Sequence, residues 1–85
     1  MSETLSPEAL AKMQALIAES LMVPADSIGA DDAIATLPNI DSLSFEMIVV
    51  SMESASGQSI DPLQLLPLKT VADLAKLLQA LEAQA

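Results

Sequence analysis

The part of this sequence best placed to do chemistry is Asp41-Ser42-Leu43, where a loop rich in Pro, Asp and Asn gives way to an apolar, helix-forming run. A hydroxyl at that point is a natural attachment site for a phosphate group. The first N–H groups of a helix lack intrahelical partners, and the positive end of the dipole lies beside them. Catalysis by the chain's own side chains is a poorer fit. Without cysteine there is neither thiolate nor disulfide chemistry, and without histidine the usual base at neutral pH is missing. No catalytic residue and no metal ligand set is therefore expected. A tripeptide is a small signal among ten serines, and taken alone it favours a plainer role, a serine that helps to cap its helix. The elements around it must decide.

The chain has 85 residues, enough for a single small domain over 1–85 and for one core. Ordering each residue costs on the order of 1.5 kcal/mol, so nearly every apolar position the fold can cover must be covered. Twelve acidic residues face three basic ones, Lys12, Lys69 and Lys76, for a net charge of −9. Such a field repels nucleic acid and anionic lipid and favours proteins with a basic patch. The longest apolar run, Met47 to Val50, is far too short for a membrane span. A cytoplasmic monomer is the expectation.

Ser6-Pro7-Glu8 predicts a helix start: Ser6 caps, Pro7 is pre-set for the first helical position and Glu8 suits the dipole. Leu10, Met13, Ile17 and Leu21 then recur at helical steps with Leu16 beside them, and Val23-Pro24 closes the segment near Met22. Residues 24–40 read as a long ordered loop pinned by Ile28, Ile34 and Leu37. The second helix is expected from Ser42 to about Ala55, with Asp41 as its N-cap and Gly57 as its stop. Its apolar residues exceed one stripe. Ile48, Val49, Met52 and Ala55 form the expected inward face, whereas Leu43, Met47 and Val50 follow a second line with Glu46 and Glu53 beside it. That line either meets a partner or belongs to a helix apolar on most sides. Met13 and Met52 read as core filler. A short helix is expected over Pro62–Leu66 behind Ile60, and a last one opens at Thr70 with Val71, Leu74, Leu77, Leu78 and Leu81 on one face. The predicted fold is all-α: a small four-helix bundle, three main helices plus one short one, with a long loop between helices one and two. Phe45, the only aromatic, packs near the loop or beside whatever Ser42 carries, and the pattern does not choose.

With these elements in order, the chain resembles the acyl carrier proteins over nearly its whole length. The family's Asp-Ser-Leu motif appears as Asp41-Ser42-Leu43, its Gly-x-x-Ile element as Gly57-Gln58-Ser59-Ile60, and its Thr-Val-x-Asp-Leu element as Thr70-Val71-Ala72-Asp73-Leu74. The resemblance implies that a phosphopantetheinyl transferase attaches 4′-phosphopantetheine to Ser42. The terminal thiol of that arm would then hold an acyl group as a thioester for delivery to acyl-loading and acyl-processing enzymes. It implies a recognition role for Asp41 during modification, beside its capping role, and a docking role for Leu43, Glu46, Met47, Val50 and Glu53. A free-standing carrier that catalyses nothing itself is the first reading. The second is a subunit of the same fold that stabilises a partner complex without cargo, and an unrelated acidic adaptor ranks last.

Three departures bear on the pathway. Asn39 stands where many members have Gly, and Asn still tolerates a left-handed backbone. Met47 replaces the acidic residue that fatty-acid carriers usually present five positions after the serine. The short third helix, Pro62-Leu63-Gln64-Leu65-Leu66, is nearly neutral where such carriers add acidic contacts. Docking should thus be less electrostatic, and polyketide, lipid or aminoacyl systems stay open beside fatty-acid synthesis. The aliphatic core, almost free of aromatics, raises the hypothesis that its packing parts to admit an acyl chain, which the sequence does not decide.

Overall fold

The computed structural model describes residues 4–84. Four helices follow one another: α1 (Pro7–Leu21), α2 (Ser42–Ser56), α3 (Pro62–Leu65) and α4 (Val71–Ala83), with no strand among the described residues. Local chemistry sets each start. The Ser6 side chain accepts from the Ala9 N–H with Pro7 in the first turn, and Thr70 and Asp73 cap each other reciprocally at α4. Such a cap contributes about 1 kcal/mol. The stops are equally local. Met22 and Gly57 close α1 and α2 in the left-handed region, at φ 61° and 71°. Glycine meets that geometry without strain at Gly57.

Helices α1 and α4 share the most extensive contact, and α2 packs on both. The core gathers Met13, Ile17 and Leu21 of α1, Ile48 and Met52 of α2, and Val71, Leu74, Leu78 and Leu81 of α4. Polar ties join the N-terminal half of α1 to the C-terminal half of α4. Gln79 accepts from the Ser6 N–H at 2.8 Å, and Lys12 pairs with Glu82 at 2.6 Å. The long connection from α1 to α2 is ordered by short helical turns at Ala25–Ser27 and Ile34–Thr36. Ile28 and Leu37 are buried in the core and Ile34 packs against it, as their spacing suggested.

One expected inward residue is misplaced. Ala55 is exposed, and Ser56 is buried instead. The buried stripe of α2 steps by four through Ile48, Met52 and position 56, and the small Ser56 side chain fits there because its hydroxyl has partners: it donates to the Glu53 carbonyl and accepts from the Gln58 N–H at 3.2 Å. Val49 is only partly buried.

Two carboxylates at helix starts make the fold acid-sensitive. Asp73 is held below the usual carboxylate range first by the Lys69 N–H and then by the Thr70 N–H, with Lys76 a smaller aid. Asp41 is lowered mainly by the Ser44 N–H, then by the Ser44 hydroxyl. Because both are lowered in the folded state, their stabilisation is present above the unfolded value of about 3.9 and is lost as pH falls through the lower folded values. Protonation of the surplus surface carboxylates acts oppositely, relieving repulsion on the way down. Thermal melting followed by circular dichroism is expected to show a maximum near pH 5 and a fall below about pH 3.5. Asp73→Asn is expected to flatten the acid limb; an unchanged limb would remove Asp73 from this account.

Candidate functional site

The start of α2 is built by three residues around Ser42. Asn39 adopts φ 63°, the left-handed conformation its type allows. Its amide donates to the Leu21 carbonyl at 2.9 Å, which fastens the end of α1 to the approach of α2. Asp41 is extended and accepts from the Ser44 N–H at 2.7 Å, while the Ser44 hydroxyl accepts from the Asp41 N–H at 2.8 Å. This reciprocal cap is the work of Asp41 and Ser44. Ser42, the first helical residue, is exposed and takes no part in it. The plainer role for Ser42 in the sequence thus falls to Ser44, whose part the sequence pattern had not suggested.

Beside Ser42 opens an apolar groove of about 580 Å³. Ile34 and Ala35 of the long loop form one side, Ile40 and Phe45 another, and Leu68 a third; Asp41, Ser42 and Lys69 are its polar members. Phe45 lines this groove together with loop residues Ala33, Ile34 and Ala35 and with Ser42. The walls do not rest on side chains alone. The Ile34 N–H donates to the Lys69 carbonyl at 2.9 Å, the Val71 N–H to Asp32 at 3.0 Å and the Ala72 N–H to Ala30 at 2.9 Å. The last two satisfy N–H groups of the first turn of α4, and all three lace the loop to its start.

The second line of α2 is outward. Leu43, Met47 and Val50 are 67%, 48% and 56% exposed, so these residues are not core. Glu46 is exposed beside them. Glu53 is less available than its place in the sequence suggested: it is half-buried, and its carboxylate accepts from the Ile60 N–H at 2.7 Å, bracing the segment before α3. Helix α3 and its C-cap add Leu63 and Leu66, both exposed, so the surface expected to be neutral is also apolar.

Ser42 is thus an accessible hydroxyl at a helix start, left out of the cap and bordering an apolar groove. Such a hydroxyl on a small all-α bundle suits a carrier of a tethered group. A family model described as phosphopantetheine attachment site matches residues 11–78, and the chain belongs to that family. It is a carrier, not an enzyme: a phosphopantetheinyl transferase modifies it with a covalent 4′-phosphopantetheine on a serine. No curated protein matches the chain. No described helix is long and apolar enough to cross a membrane.

Proposed function

We propose that Ser42 is the serine that carries the arm, and that the protein presents thioester-bound acyl groups to partner enzymes that dock on the apolar line of α2. The observation that carries this reading is the division of labour at the helix start, where Asp41 and Ser44 form the cap and Ser42 is left exposed. In the modification step the Ser42 hydroxyl oxygen forms a bond to phosphorus and loses its proton. The pyrophosphate bond of coenzyme A breaks, and the adenosine bisphosphate departs with the electron pair. Asp41, held ionised by the Ser44 hydrogen bonds, is suited to meet the metal ion of the transferase. When bound, the arm supplies a thiol that holds an acyl group as a thioester and moves it at high effective concentration between docked enzymes. Intact mass after incubation with a broad-specificity transferase and coenzyme A, followed by peptide mapping, tests the assignment; an arm on any other residue refutes it.

Docking follows from the outward line. Leu43, Met47 and Val50, with Glu46 at their edge and Leu63 and Leu66 nearby in the sequence of elements, suit an apolar depression with a basic rim. This supports partners that recognise shape more than charge, and hence a polyketide, lipid or similarly specialised pathway alongside bulk fatty-acid synthesis. Met47→Glu is expected to lower kcat/KM for modification roughly fivefold, the worth of about 1 kcal/mol of half-buried apolar contact. A rate that stays the same, measured at moderate salt, would remove Met47 from the docking face.

A further inference from the structure

Among the described residues the cations are three, and their placements differ. Lys12 is paired with Glu82. Lys76 lies near enough to Asp73 to favour its charge. Lys69 alone borders the groove that contains Ser42. Its backbone is fixed from two sides: its N–H donates to Asp73 at 2.9 Å, and its carbonyl accepts from the Ile34 N–H at 2.9 Å. The ammonium itself is in no ion pair with a described residue. Its main chain is thus pinned while its ammonium is uncommitted, in a chain of net charge −9.

The charges around Ser42 give that cation a purpose. A phosphodiester on Ser42 places a permanent negative charge one residue from Asp41, whose carboxylate is itself kept ionised by the Ser44 cap. Like charges so close repel, and an exposed chain linkage will move away from the carboxylate toward whatever positive charge lies within reach. Lys69 is the one cationic residue among those that line the groove. We propose that the Lys69 ammonium holds the phosphodiester of the arm on Ser42 at the groove, directing the arm along the apolar trough instead of into solvent. The proposal rests on the reading of Ser42 as the attachment residue. Lys69 acts as a positioning residue: it binds and orients, and takes no part in any transfer.

The test uses the natural chain with and without the arm, the modified form first verified by mass to carry it on Ser42. Side-chain NMR titration of the three lysines is expected to show the Lys69 ammonium titrating roughly half a pH unit higher in the modified form, with Lys12 and Lys76 unmoved. High salt is expected to erase the difference. The ³¹P resonance of the phosphodiester is expected to move in Lys69→Gln and to return in Lys69→Arg. An armed chain in which Lys69 titrates unchanged, or in which all three lysines shift alike, overturns the proposal and leaves the Ser42 reading intact. So does a shift seen only after loading a carboxylate-bearing acyl group, which would assign the lysine to the cargo. A chain that stays bare sinks the Ser42 reading first and this proposal with it.

Discussion

Ser42→Ala is expected to leave the polypeptide bare after exposure to a transferase and coenzyme A, while melting at nearly the temperature of the natural chain. The two halves of that result have separate causes. Loss of the arm is complete because the substitution removes the only atom that can form the phosphorus–oxygen bond at this position. The fold is spared because Asp41 and Ser44 make the cap and because Ser42 is exposed. Surface changes of this kind usually stay within about 0.5 kcal/mol, and alanine is a good helix former. Intact mass and a thermal melt on the same sample check both halves. A large drop in stability would mean that Ser42 is structural, and an arm still present would place the attachment elsewhere among the serines.

Leu78→Ala is expected to cost about 2–5 kcal/mol. Leu78 is completely buried on α4, in the core that α1, α2 and α4 share. Removing most of its side chain forfeits transfer free energy and leaves a cavity that the packed helices close only in part. For a chain of 85 residues, total stability at about 0.05–0.15 kcal/mol per residue is roughly 4–13 kcal/mol. One truncation can therefore consume half of it. Urea unfolding followed by circular dichroism gives the number, and a change under about 1 kcal/mol would contradict the core described above.

Much of this fold was legible because its signals are local. Ser6-Pro7, Asp41 and Thr70 each announce a helix within a few residues, and Gly57 announces a stop; all four act as the sequence indicates. The loop anchors Ile28, Ile34 and Leu37 stood out as isolated apolar residues among turn formers. What was hidden depends on distant partners. Ala55 and Ser56 are both small, and hydropathy favours the wrong one because it does not register that the Ser56 hydroxyl finds partners at Glu53 and Gln58. Glu53 read as a surface acid, and only the return of the chain at Ile60 gives its carboxylate an N–H to hold. The groove beside Ser42 was invisible for the same reason. Its sides come from residues 33–35, 40–45 and 68–69, which no periodicity within one segment can bring together.

The seam between the long loop and the start of α4 has a bearing on how such carriers diversify. Its three bonds run from main chain to main chain, from Ile34, Val71 and Ala72 to Lys69, Asp32 and Ala30. The bonds themselves do not depend on which side chains are mounted there, proline excepted at the three donors, because proline has no N–H to give. The upholstery of the trough can thus change where it is not also core packing, while its scaffolding stands.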